Sequence, residues 1–107
     1  MKELLDYYDL PADTEEFKIY APTLKQCNLT EKFLRHYGFR PLSGLTALKR
    51  DYVLYSVIEV YVFCKKFCYS LPDYNVDDLK KPPSLATMLY LEHMQKKLFF
   101  KRVFFNI

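Results

Sequence analysis

Apolar residues recur along this chain in several distinct patterns, and each pattern predicts an element. Lys2–Tyr8 reads as one or two helical turns before Pro11. Asp13-Thr14-Glu15-Glu16 has an acid at a cap position and Glu three residues on, the capping-box pattern. It predicts a short helix through about Tyr20, stopped by Pro22. Asn28-Leu29-Thr30-Glu31 repeats the signature and predicts a helix through Tyr37. Phe33, Leu34 and Tyr37 give that helix an apolar face, and Gly38 supplies its natural stop.

From Leu45 to about Leu71 no proline or glycine interrupts the chain. The middle of this run, Tyr52 to Cys64, reads YVLYSVIEVYVFC, with Glu59 its single charge. A helix apolar on all sides belongs at the centre of a fold. The β-branched set Val53, Val57, Ile58, Val60 and Val62 favours a strand instead. Length decides for a helix, because thirteen residues exceed the usual strand of about five or six. The same thirteen fall short of the ~20 needed to cross a bilayer. No membrane span is expected.

Residues 71–84, LPDYNVDDLKKPPS, form the main loop, with one helical turn expected near 76–79. Ser84 then caps a last helix on which Leu85, Met88, Leu91 and Leu98 share a face. Its end, KKLFFKRVFFNI, sorts its rings and cations by neither helical nor strand period. Such a segment suits a groove, with rings in pockets and Lys and Arg stems along the rim.

These elements predict an all-α fold: one small domain, residues 1–107, of four to five helices around a long hydrophobic central helix at about 45–71. The acidic segment 1–20, the loop 71–84 and the basic-aromatic segment 84–107 are its parts.

Composition adds the interaction surface. Half of the 107 residues are hydrophobic and nineteen are Phe or Tyr. That is a large ring area for one small core, since each ring side chain can bury about 150–250 Å². Residues 1–20 carry Lys2 and Lys18 against Glu3, Asp6, Asp9, Asp13, Glu15 and Glu16, net −4, which leaves +7 on the remaining 87 residues. Cys27, Cys64 and Cys68 are an odd number, and the N-terminus lacks the apolar run of a secretory signal. A reduced, intracellular compartment (cytoplasmic or nuclear) is the expectation.

Chemistry-bearing constellations are sparse. Cys64 and Cys68 would share one face of a helix, and Cys27, His36 and His93 could in principle complete a zinc set. No second close ligand pair exists, and the spacing matches no finger pattern. Two glycines, Gly38 and Gly44, are too few for a phosphate-cradling loop. No catalytic residue, metal, cofactor or small-molecule substrate is inferred, and the chain is read as non-enzymatic. A thiol- or zinc-dependent enzyme is the third and weakest reading.

The first reading is a protein-interaction module, a small subunit or accessory factor of a larger assembly, or a homo-oligomer. Phe99, Phe100, Phe104, Phe105, Lys97, Lys101 and Arg102 would hold the partner. The alternative is nucleic-acid or ribonucleoprotein binding through Arg35, His36, Tyr37, Arg40, Lys49 and Arg50. Those cations lie among rings, and EKFLRHYGFRPLSGLTALKRDY loosely follows a helix-turn-helix layout.

Overall fold

Phe17 and Ile19 alternate with Glu16, Lys18 and Tyr20, and this period of two marks a strand in the N-terminal third of the chain. The computed structural model describes residues 2–42, 56–70 and 78–105, with side chains for 3–42, 56–70 and 78–97. Among the described residues are three helices, α1 (Lys2–Tyr7), α2 (Leu24–His36) and α3 (Leu85–Phe105), and four strands, β1 (Glu16–Tyr20), β2 (Arg40–Pro41), β3 (Val57–Tyr61) and β4 (Lys66–Ser70). The strands form one mixed sheet in the order β1-β3-β4-β2. Both β1–β3 and β3–β4 are antiparallel, and β2 runs parallel to β4.

The fold is therefore mixed α/β and not an all-α bundle. The expected long central helix is overturned between 57 and 70, where the chain is a hairpin; residues 43–55 lie outside the described residues. The physical reason is a turn without a breaker residue. Val62–Lys65 reverses the chain with Lys65 at φ 56°, a left-handed conformation normally left to glycine or asparagine. Lys65 N–H donates to Val62 O at 3.4 Å to close the turn. A run that reads as one helix, too long to be a strand, holds a pair of strands over 57–70, and the β-branched residues are the better guide.

The expected helix at 13–20 is likewise a strand. Phe17 faces Val60 and Ile19 faces Ile58 across the ladder. Cross-strand burial outweighs a local capping pattern that no amphipathic run follows. The helix expected from Asn28 begins a turn earlier. Thr23 is its N-cap: its Oγ1 accepts from Gln26 N–H at 3.2 Å, and Gln26 Oε1 accepts from Thr23 N–H at 3.2 Å. Its end is as expected. Gly38 N–H donates to Arg35 O and Phe39 N–H to Leu34 O, both at 3.0 Å, with Gly38 at φ 89°. This is the Schellman arrangement that glycine permits.

The register puts Phe17, Ile19, Ile58, Val60 and Phe67 on one sheet face. They are buried together with Leu4 and Leu5 of α1 and Cys27, Phe33 and Leu34 of α2. Rings tie the end of α1 to the sheet and to α2: the Tyr8 ring lies 5.3 Å from Phe17 of β1, and the Tyr7 ring lies 4.8 Å from Phe33 of α2. The opposite face carries Glu16, Lys18, Glu59, Tyr61, Lys66 and Cys68 and is largely polar.

Lys80 pairs with the outer edge of β1, and this bridge brings the chain to the start of α3. Ser84 caps α3, its Oγ accepting from Thr87 N–H at 3.1 Å, as the sequence predicts. The basic-aromatic segment is helical through Phe105.

Candidate functional site

A helix is held in a fold by the face it buries. α3 buries little. Met88 is 4% exposed and joins the core, and Leu91 packs partly against it. Beyond Leu91 every side chain from Glu92 to Lys97 is exposed. Leu85, Leu89 (56%), Tyr90 (62%) and Met94 also stand in solvent. Leu89 and Tyr90 lie on opposite flanks of the buried Met88–Leu91 stripe, because successive residues turn by about 100°. Leu85 shares the Leu89 flank and Met94 shares the Tyr90 flank, each pair four residues apart.

The Leu85 flank opens onto a groove of about 400 Å³ between α2 and α3. Leu24, Leu29 and Leu85 line it, with Lys25 and Lys32 at its rim. Leu85 and Leu89 on α3 beside this Leu-lined groove form an exposed apolar surface with Lys25 and Lys32 around it.

Of the residues expected to hold a partner, Lys97 is exposed on α3. Phe99, Phe100, Lys101, Arg102, Phe104 and Phe105 lie on the same helix, and their side chains are outside the described ones. Sequence reasoning misses the exposure of Leu85, Leu89, Tyr90 and Met94. Their helix is legible, but the spacing groups Leu85 with the buried Met88 and Leu91.

The residues expected to touch nucleic acid divide. Arg35, His36 and Arg40 are exposed at the end of α2 and in β2. Tyr37 is committed internally, edge-on to Phe33 at 5.2 Å and to His36 at 5.0 Å. Burial, with smaller contributions from Glu3 and Tyr7, raises its hydroxyl pKa. Lys49 and Arg50 lie outside the described residues. The helix-turn-helix expectation keeps its first helix, but the region meant to continue the second is the β3–β4 hairpin.

That hairpin brings two cations to the set that no local pattern places there. Arg40 N–H donates to Lys65 O at 3.0 Å, and Arg40 stands opposite Lys66 in the β2–β4 ladder. The Arg35 guanidinium lies 6.0 Å from the Phe67 ring centroid. At the tip of the same hairpin Phe63 is 70% exposed.

The cysteines do not share a helix face. Cys64 is exposed in the hairpin turn, Cys68 is half-buried in β4 and Cys27 is buried in α2. Cys68 Sγ lies 3.8 Å from Glu59 Oε2 and 3.7 Å from the Tyr61 hydroxyl. Tyr61 donates to Glu59 Oε2 at 2.5 Å, which holds its hydroxyl pKa well above the ordinary range. Burial raises the Cys68 thiol, and the charge of Glu59 adds to the rise. A thiol held protonated is a poor nucleophile and a poor metal ligand. Among the described residues no group of three or more His, Cys, Asp or Glu is placed to hold a metal ion.

A larger cleft, about 740 Å³, lies between Tyr20, Pro22 and Gln26 and the 79–84 segment. Its charged lining residues are Lys80 and Lys81, with no acid, histidine or cysteine among the described residues that line it. No helix among the described residues is long and apolar enough to cross a membrane. No protein-family model matches the chain, and no curated protein or solved structure shows significant similarity to it.

Proposed function

We propose that the chain is a non-enzymatic binding module that docks a partner protein along α3 and the adjoining groove. The observation that carries this reading is the side-chain exposure of α3 from Glu92 to Lys97. The core closes on Met88, and the helix then continues for fourteen residues past Leu91. The sequence of that continuation holds Met94, Leu98, Val103 and four phenylalanines, an apolar content that a partner would cover. Exposed Leu, Tyr and Met side chains on a helix are the kind that fill a partner's pockets.

Charge selects the partner. Lys25 and Lys32 rim the groove, Lys96 and Lys97 are exposed on α3, and Lys101 and Arg102 follow in sequence. After Glu92 the sequence has no acid. The partner therefore presents apolar side chains on an acidic surface, which steers encounter as well as fit. A second copy could offer its acidic α1 only at a cost. Leu4, Leu5 and Tyr8 of that segment are already buried in their own core.

The double variant Phe100→Ala/Phe104→Ala tests the reading. Expressed with a tag in its native cells, the wild-type chain should elute in an assembly larger than itself. The variant should elute alone at an unchanged melting temperature. A variant that unfolds places these rings inside the chain's own core, and one that still co-elutes with the assembly removes α3 from the interface. Wild-type chain that self-associates when pure makes the partner a second copy.

A further inference from the structure

The basic cluster at the end of the sheet is a second surface, separate from α3. We propose that it binds single-stranded nucleic acid, with Phe63 as the platform on which a base stacks and Arg35, Arg40, Lys65 and Lys66 as the phosphate contacts. The reading of α3 does not enter into it.

Three elements build the cluster. The Gly38 turn ends α2 and sends the chain into β2, so Arg35 and His36 sit beside the start of that strand. The β2–β4 ladder sets Arg40 against Lys66, and the Arg40–Lys65 backbone bond fixes the hairpin turn to β2. A Cβ at Gly38 would stand 4.0 Å from Lys65 Cδ, so the lysine stem runs past the helix end. The C-terminus of α2 carries partial negative charge, which helps to hold these cations together.

Phe63 is held out by the same turn. Its neighbour Val62 is 2% exposed and fixed to Glu15 O by its amide at 2.9 Å. A ring this exposed on an anchored turn loses little further freedom when a base stacks on it. Base–aromatic stacking beside a band of cations is how single strands are held without sequence preference.

The distribution of charge decides between polyanions. The ladder row at this end reads Glu16, Tyr61, Lys66, Arg40 across the four strands. Cations gather on the β4–β2–α2 side and the exposed acids Asp13, Glu15 and Glu16 on the β1 side. Two strand spacings of ~4.8 Å separate Glu16 from Lys66, about one Debye length. A flat anionic membrane meeting the tip would meet those acids too. A strand of nucleic acid can follow the cationic band and avoid them. A duplex needs an element that enters a groove, and the exposed basic residues here sit on a helix end, a hairpin turn and a two-residue strand.

Fluorescence anisotropy of the full chain with a labelled dT12 single strand tests the proposal. A mixed-sequence 12-bp duplex and phosphatidylserine vesicles are the competitors. Four phosphate contacts to a single strand predict a roughly 50-fold loss of affinity between 50 and 200 mM salt. Phe63→Ala should weaken binding by roughly 5- to 100-fold. Lys65→Gln and Arg35→Gln should each weaken it and flatten the salt dependence by about 0.7 in log–log slope. All three side chains are exposed, so folding is not at stake. Lys25→Gln/Lys32→Gln, which removes charge from the groove instead, should leave binding within about twofold. The proposal is overturned by any of four results: no binding at 50 mM salt, equal loss in the groove variant, indifference to Phe63→Ala, or a preference for duplex or vesicles over the single strand.

Discussion

Lys80 and Ile19 pair across the outer edge of β1 as a single parallel bridge. Lys80 N–H donates to Lys18 O at 2.8 Å, and Lys80 O accepts from Tyr20 N–H at 2.9 Å. The bridge covers the edge of the sheet and ties the segment before α3 to it. Pro82 and Pro83 then lead directly to the Ser84 cap, so the position of α3 is set from the sheet.

Replacing Lys80 with proline should loosen that tie. Proline has no N–H, so Lys18 O loses its partner, at a cost of about 1–3 kcal/mol. Lys80→Ala keeps the backbone bonds and should stay within about 0.5 kcal/mol of wild type. Urea unfolding of the two variants gives the comparison. Equal stabilities would mean that the bridge contributes nothing.

Two phenylalanines of the hairpin should behave oppositely. Phe67 is fully buried and Phe63 is 70% exposed. Phe67→Ala should cost about 3–5 kcal/mol through lost burial and the cavity left behind. Phe63→Ala should change stability by no more than about 0.5 kcal/mol. Chemical denaturation distinguishes them, and a large cost at Phe63 would place that ring in the core.

Tyr8 offers a pH prediction. Its hydroxyl is buried and has no hydrogen-bond partner among the described residues. Burial, with a smaller contribution from Tyr7, raises its pKa above the ordinary 10.0. The folded group therefore keeps its proton where the unfolded chain releases it. Stability is full below pH 10 and falls as pH rises beyond it, because the native state binds more protons there. Tyr8→Phe should flatten that alkaline loss. At pH 7 the substitution should be neutral or stabilising by up to about 1–3 kcal/mol, since it removes an unmet buried hydroxyl. Melting temperatures of both proteins at pH 7 and pH 10.5 give the answer; a Phe variant less stable at both would show that the hydroxyl is satisfied.

The cap of α2 can be tested alone. Thr23→Ala removes the acceptor for Gln26 N–H and should cost about 1 kcal/mol. Asn28→Ala, at the cap position the local pattern suggests, should cost less, because Asn28 lies one turn inside the helix. A larger loss at Asn28, read from guanidinium midpoints, would contradict the position of the helix start.

Sequence reading succeeds where one local rule has no competitor. Gly38 stops α2 because only a residue tolerant of positive φ fits there, and Ser84 caps α3 because a hydroxyl precedes Leu85, Met88 and Leu91 at helical spacing. It fails where tertiary pairing overrides a local signal. Glu16–Tyr20 has a capping pattern in front of it and a period of two within it, and the pairing with β3 decides. The β3–β4 turn is invisible because Lys65 occupies the conformation that a glycine or asparagine would have advertised. The candidate sites follow the same division. The ring- and cation-rich make-up of the α3 end is legible from composition. Lys65 and Lys66 read as the flank of an apolar helix, and only the parallel pairing of β2 with β4 sets them beside Arg40.

The proposed docking role of α3 is tested most directly by placing a photo-crosslinking amino acid at Tyr90 or Met94 and irradiating the native cells. Glu15, exposed on the acidic side, is the control position. The account predicts a discrete adduct with another polypeptide from both α3 positions, none from Glu15, and loss of the adduct when Leu89→Glu is added. Crosslinks confined to the chain itself, or equal labelling at all three positions, would contradict it.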